Sequence, residues 1–171
     1  IQSEVVVKQY PDGITITNAG GFPSGVDQDN ILTVNSIPRC KLLSDVLEKT
    51  NLVERSGQGV DKMFYNCLME GKPLPTYDGT DSYQVQLNFD AVIAEPELLK
   101  FFRREQDRRP EDNKLNVFDL LTLYKIHKHD VADLNKETVG RLQKENLLEV
   151  NDGKYKILGS YVDEYADVAE A

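Results

Sequence analysis

The chain has 171 residues, of which 40% are hydrophobic and 29% are charged, and this composition predicts a folded globular protein rather than a disordered one. No apolar run is long enough to span a membrane, and no secretory leader is visible, so we expect a cytoplasmic protein. The net charge of −9 argues against a general nucleic-acid coat protein. Because the first residue is Ile1 rather than methionine, we expect a piece of a longer protein.

The charge is unevenly distributed along the chain. Residues 1–90 hold 7 basic and 12 acidic side chains, residues 91–162 hold 13 of each, and residues 163–171 form an acidic tail. A neutral segment can still present one basic face. The two cysteines, Cys40 and Cys67, fit no metal-ligand spacing, and we predict buried free thiols in a reducing compartment.

The chain begins with a predicted β-hairpin. Residues 3–10 are rich in valine, residues 11–13 are the turn tripeptide Pro-Asp-Gly, and residues 14–18 alternate isoleucine with threonine. Alternating apolar strands around such a turn are typical of a hairpin.

Two amphipathic helices are predicted next, followed by a strand. The first helix begins at Pro38, which suits a first turn, and runs to about Lys49. The second begins near Gly57 and ends at Gly71. Residues 83–89 then alternate strictly, as expected of a half-buried strand. The apolar face predicted for the first helix consists of Leu42, Leu43, Val46 and Leu47.

The second half of the chain predicts three helices and a second hairpin. Pro96 opens the first of these helices, and residues 103–113 are predicted to be a polar break. Residues 117–124 form the next helix, and Asn135 is the predicted N-cap of the third. Residues 147–158 contain two short strands around an Asn-Asp-Gly turn, which predicts the hairpin.

Three helices followed by a hairpin are the element order of a winged helix-turn-helix. In that fold the third helix enters the major groove of DNA and the hairpin contacts the backbone. The alternative is a domain that binds protein and carries ordinary solvated lysines. The predicted contacts to duplex DNA are Lys136, Thr138, Arg141, Lys144, Lys154 and Lys156.

Two glycine-rich loops suggest phosphate binding. NAGG at residues 18–21 follows a strand, and SGQG at residues 56–59 opens a helix, where free backbone amides suit phosphate oxygens. The alternative is that these glycines only allow tight turns, and their spacing alone favours that alternative.

Other chemistries find no support in the sequence. The P-loop pattern GxxxxGK[ST] and the GxSxG elbow are both absent, so we predict no catalytic residue. His127 and His129 lack a third ligand, so we predict surface residues and no metal site.

Four motifs, taken in order, resemble one bacterial family. They are NAGGFP at 18–23, IPRC at 37–40, ERSGQGV at 54–60 and PTY at 75–77. Residues 5–90 thereby resemble the C-terminal region of RecG-related ATP-dependent DNA helicases, which also look like transcriptional regulators with an N-terminal Schlafen-type AlbA domain. A winged helix commonly follows this region in the family.

The resemblance implies a fold similar to the histidine-kinase-type (GHKL) ATPases, with NAGGF against adenine and SGQGV around phosphates. Two departures weaken that site, since Asn18 stands where the pattern has Asp and Phe22 stands where it has a second glycine. The box that supplies a magnesium-binding Asn lies upstream of Ile1 in the family pattern. We therefore expect no cofactor in this chain alone, and ATP with magnesium only in a full-length protein. The implied nucleotide-binding residues are Asn18, Gly20, Gly21, Gly57 and Gly59.

The sequence thus predicts an α+β chain with two domains. Residues 1–90 form a partial GHKL-like module, residues 91–162 form a winged helix-turn-helix domain, and residues 163–171 form the tail. We expect the C-terminal part of a bacterial DNA-binding transcriptional regulator, which binds duplex DNA weakly and catalyses nothing itself because no helicase motor motif is present. Two alternatives stay open: part of an ATP-dependent DNA-acting enzyme with an incomplete nucleotide site, and a protein-interaction module, including a homodimer.

Overall fold

A computed structural model describes residues 4–53 and 57–159. They belong to two compact units: the first contains the residues up to Cys67 together with Lys72–Val92, and the second contains Leu68–Gly71 and the residues from Ile93 onward. The predicted acidic tail at residues 163–171 lies outside the described residues. In the described part of the chain, no helix is long and apolar enough to cross a membrane.

The first unit contains a three-stranded antiparallel sheet. Its strands are β1 (Val5–Tyr10), β2 (Gly13–Ala19) and β3 (Gln84–Asp90), in the order β1-β2-β3. The predicted hairpin and the predicted strand near residues 83–89 are therefore confirmed. Ile16 pairs with both Val7 and Leu87 across the sheet, so apolar side chains share one face, as the alternation in the sequence predicts.

Two helices of the first unit separate β2 from β3. They are α1 (Lys41–Lys49) and α2 (Gln58–Met69), whose last two residues belong to the second unit. The helix α2 buries Phe64 and Cys67, as its apolar spacing predicts.

Three details predicted for α1 are wrong. The helix begins at Lys41 rather than Pro38, because the residue before it, Cys40, has the extended backbone of an N-cap. Cys40 is consequently exposed, unlike Cys67. No residue of α1 is buried, and Leu42 is 76% exposed. Its apolar face, predicted from periodicity alone, is not covered by the described residues.

The second unit is built from helices and a hairpin around one apolar core. The side chains of Phe102, Leu120, Leu123 and Leu142 have no exposed surface. Helices near 117–124 and after Asn135, and the hairpin near 147–158, are confirmed. The elements are α3 (Pro96–Arg108), a 3₁₀ turn (Glu111–Asn113), α4 (Val117–His127), α5 (Lys136–Lys144), β4 (Leu148–Asn151) and β5 (Lys154–Ile157).

The predicted polar break at residues 103–113 is wrong for most of its length, because α3 continues to Arg108. Two polar side chains of this segment, Glu105 and Gln106, are buried rather than solvated. The amide of Gln106 donates a hydrogen bond to the carbonyl oxygen of Leu115 at 2.8 Å and accepts one from the Leu115 amide at 3.0 Å. A paired polar group is tolerated in a core, so the polar sequence does not end the helix.

Candidate functional site

The first glycine pair lies just after β2, where the sheet pairing continues. The amide of Gly20 donates a hydrogen bond to the carbonyl oxygen of Tyr83 at 2.5 Å, and the amide of Gly21 donates one to that of Ser82 at 3.2 Å. Both amides are thus engaged within the protein, whereas a phosphate-binding loop needs free amides.

Side chains from two other family motifs surround this glycine pair. The guanidinium of Arg39 donates hydrogen bonds to the carbonyl oxygens of Gly20, at 2.8 Å, and of Gly21. The ring of Tyr77 meets the ring of Phe22 edge to face, with centroids 5.4 Å apart, and burial raises the pKa of the Tyr77 hydroxyl. The motifs NAGGFP, IPRC and PTY therefore meet in one cluster.

The four glycines of the candidate nucleotide site have different physical roles. A Cβ at Gly21 would lie 2.5 Å from the backbone oxygen of Asp81, and one at Gly20 would clash with Arg39. Gly21 needs glycine because backbone atoms approach it closely, whereas Gly20 needs glycine because its φ is +85°. Gly57 and Gly59 have open space around a Cβ, and of these two only Gly57, with φ of +75°, needs glycine for its backbone conformation.

A pocket of about 360 Å³ lies between the segment after the first glycine pair and the start of α2. Gly57 and Gly59 line it, whereas Asn18, Gly20 and Gly21 are not among its lining residues. The described residues that line this pocket are Phe22, Pro23, Val26, Ile31, Val34, Asn35, Ser36, Ile37, Gly57, Gly59 and Val60.

A second pocket of about 290 Å³ shares several of these residues and is also lined by Asp61, in the first turn of α2. No Lys or Arg is among the described residues that line either pocket. A phosphate bound at the start of α2 would therefore be repelled by the carboxylate of Asp61. None of the described lining residues would attract it with a positive charge. Ser56 lies outside the described residues.

The helix α5 carries most of the residues predicted to contact DNA. The side chain of Asn135 accepts hydrogen bonds from the amides of Glu137 and Thr138 at 2.9 and 3.1 Å, which confirms the predicted N-cap. Thr138 is buried, whereas Lys136 and Lys144 are exposed. The exposed face of α5 is therefore the lysine-bearing one.

Arg141 has an internal partner that sequence reasoning missed. Its guanidinium forms an ion pair with Asp119, whose side chain is 4% exposed. Asp119 also accepts a hydrogen bond from the amide of Asn116 at 2.9 Å, completing the capping box of α4. The Asn-x-x-Asp spacing was the available signal for the cap, but nothing in it indicated Arg141.

A second ion pair lies one turn beyond Arg141, at the C-terminal end of α5. The side chain of Arg109, just after α3, lies 2.6 Å from the carboxylate of Glu145, the C-cap of α5. Both side chains are largely buried, so this pair is screened less than a surface pair. The C-terminal half of α5 is therefore fixed by two ion pairs.

The hairpin after α5 carries the remaining two lysines predicted to contact DNA. Lys154 and Lys156 are two residues apart on β5 and share one side of the strand. Lys156 lies directly opposite Glu149 on β4, which reduces the positive charge on that side.

The prediction that His127 is a solitary surface residue is wrong. Its Nε2 lies 2.9 Å from a carboxylate oxygen of Glu95, and Lys128 also pairs with that carboxylate. Burial would raise the pKa of Glu95, but the hydrogen bonds from Lys128 and His127 outweigh it and hold the pKa below its usual value. The hydrogen bond to Glu95 raises the pKa of Lys128.

The described residues contain no group of three or more His, Cys, Asp or Glu side chains that could hold a metal ion. The predictions about DNA and nucleotide contacts rest instead on the lysines of α5 and β5 and on the pocket at α2.

Comparison with known proteins identifies the family. A family model described as "Putative ATP-dependent DNA helicase recG C-terminal" matches residues 2–89. The chain belongs to this family. The resemblance expected from the four motifs is thereby confirmed for the RecG C-terminal family.

A solved structure is similar over nearly the whole chain. The DIP2311 protein from Corynebacterium diphtheriae is 19% identical in sequence, with a TM-score of 0.72, and the match covers 91% of this chain and 36% of that one. This RecG C-terminal family member thus spans about a third of that longer chain, and at 19% identity the likeness shows the fold alone. No curated protein matches the sequence significantly.

The segment shared with the RecG C-terminal family contains the sheet, α1 and α2, and so both glycine loops and both pockets. The elements α3 to β5 begin after that segment. Their function has to be argued from their own geometry.

Proposed function

We propose that this chain is the DNA-contacting C-terminal part of a cytoplasmic bacterial transcriptional regulator in the RecG C-terminal family. In this proposal the elements α3 to β5 form a winged helix-turn-helix, with α5 as the helix that enters the major groove and the β4–β5 hairpin as the wing. The chain itself catalyses no reaction.

The main support for the proposal is that the charged side chains of α5 fall into two groups, one paired within the protein and one exposed. Arg141 pairs with Asp119, and the cap residue Glu145 pairs with Arg109, so the charged groups that fix the helix are engaged internally. Lys136 and Lys144 form no ion pair with any described residue. Two exposed cations on a rigidly held helix suit phosphate contacts.

The expected affinity is low because few cations are involved. Lys136, Lys144, Lys154 and Lys156 supply about four phosphate contacts, and non-specific dissociation constants of this class are on the order of 10⁻⁴ to 10⁻⁶ M at physiological salt. The acidic balance of the chain, with a net charge of −9, adds long-range repulsion from DNA.

The direct test is fluorescence anisotropy with a labelled duplex at low salt. The variant Lys136→Ala/Lys144→Ala should weaken binding at least tenfold, because each lost cation removes a phosphate contact. Arg103→Ala, compared with each single lysine variant, is the charge-matched control, since Arg103 is an exposed cation on α3, and it should leave the affinity within twofold. Equal losses in both variants, or no binding by the wild-type chain, would favour the protein-interaction alternative.

Nucleotide binding is a second candidate function, and one observation favours it. The segment after Gly21 and the glycines at 57 and 59 border one pocket, as the resemblance to the histidine-kinase-type ATPases implies. The engaged amides of Gly20 and Gly21 and the carboxylate of Asp61 weaken that site. We therefore propose that this chain alone binds ATP weakly.

A further inference from the structure

Gly140, which is partly exposed, lies between Lys136 and Lys144 at the centre of the lysine-bearing face of α5. Lys136 and Lys144 lie one turn before and one turn after it, and residues four apart on a helix are neighbours on the same face. The buried side chains of Thr138 and Leu142 mark the opposite face.

Nothing in the described part of the chain explains a glycine at this position. No atom lies within 4 Å of a Cβ built at Gly140, and the residue is not among those with a positive φ. Glycine is also among the least favourable residues in a helix interior. Its distinguishing property here is that it lets another molecule approach the helix backbone.

The two flanking lysines have a spacing that matches a feature of DNA. Eight residues of α-helix rise about 12 Å, and the major groove of B-DNA is about 12 Å wide. Lys136 and Lys144 can therefore face phosphates on the two walls of the groove while Gly140 faces its floor.

We propose that α5 crosses the major groove of duplex DNA with Gly140 closest to the base edges, flanked by Lys136 and Lys144 on opposite phosphate strands. This inference rests on the proposed function and adds the position at which α5 contacts the bases. The ion pairs of Arg141 and Arg109 keep α5 from rotating, so the glycine face stays turned outward. A side chain at position 140 would separate the helix from the bases.

The test is a size series at position 140 in the full chain. Gly140→Ala should raise the thermal midpoint by about 4 °C, because alanine favours the helix, and should weaken duplex binding about threefold. Gly140→Leu should weaken binding at least tenfold. Asn66→Leu is the control, since it places the same leucine side chain at an exposed position of another helix, α2, and it should change the affinity less than twofold.

Three results would overturn the inference, and they differ in what else they affect. If Gly140→Leu binds within twofold of wild type while Lys136→Ala/Lys144→Ala is weakened, the contact point is wrong and the proposed function stands. If the wild-type chain does not bind duplex DNA, both this inference and the proposed function are wrong. If Gly140→Leu changes the oligomeric state in size-exclusion chromatography and leaves DNA affinity unchanged, the face binds protein instead.

Discussion

Arg141 on α5 forms an ion pair with Asp119, a nearly buried carboxylate in the first turn of α4. The same carboxylate completes the capping box with Asn116. One acidic side chain therefore stabilises the start of α4 and fixes α5 beside it. The predicted role of Arg141 in DNA contact stays a prediction, and its structural role has to be separated from it.

We expect Arg141→Ala to destabilise the fold. Removing the guanidinium leaves the buried Asp119 carboxylate with only the Asn116 amide, which costs about 2 kcal/mol in the free energy of unfolding. Lys144→Ala, at an exposed position of the same helix, should change that energy by less than about 0.5 kcal/mol. Urea unfolding of the two variants compares them directly, and equal values would mean that the ion pair contributes nothing.

We expect the stability of the second unit to fall in acid through Glu95. Its pKa is lowered in the folded protein, so the contribution of this carboxylate is complete above the unfolded value near 4.5 and is lost as the pH falls through the folded value. His127, Lys128 and Tyr124 are the titratable groups that face it.

Unfolding midpoints of wild type and Glu95→Gln between pH 7 and pH 3 check this prediction. The two curves should converge as the pH falls below about 4.5, because protonation removes the charge that the variant lacks. Glu97→Gln is the control, since the pair of Glu97 with Lys100 is exposed and contributes little. A difference that stays constant over this range would show that the charge of Glu95 is irrelevant.

Two glycines of the RecG C-terminal segment should respond oppositely to alanine. Gly21→Ala places a Cβ 2.5 Å from the backbone oxygen of Asp81 and should destabilise the fold by about 2 kcal/mol. Gly59→Ala meets open space in α2 and should stabilise it by about 0.5 kcal/mol. Thermal or urea unfolding measures both changes. A destabilised Gly59→Ala variant would reveal a contact that the structure does not contain.

The sequence predicted those features that depend on neighbouring residues. The Pro-Asp-Gly hairpin, the cap at Asn135 and the order of the family motifs are all local signals, and each is confirmed. The features it missed depend on distant partners. Gln106 is kept in a helix by Leu115, and Arg141 is paired with Asp119, 22 residues away. Periodicity identified the apolar face of α1, but it cannot state whether another segment covers that face.

We expect no binding of ATP with magnesium in the micromolar range by this chain. The amide of Gly20 is bound to Tyr83 and that of Gly21 to Ser82, and the start of α2 carries the carboxylate of Asp61. Few free donors are therefore left for the phosphate oxygens. Isothermal titration calorimetry measures this directly. A saturating isotherm would contradict the expectation and favour the nucleotide-binding candidate.

The salt dependence of binding tests most directly whether α5 and the β4–β5 hairpin contact duplex DNA. Anisotropy titrations over a salt series should give a slope of about −3 to −4 for log K against log salt, because about four phosphates are neutralised. Lys154→Ala should make that slope less negative by about one unit. An absence of binding at low salt, or a slope unchanged by this substitution and by Lys136→Ala/Lys144→Ala, would contradict the account.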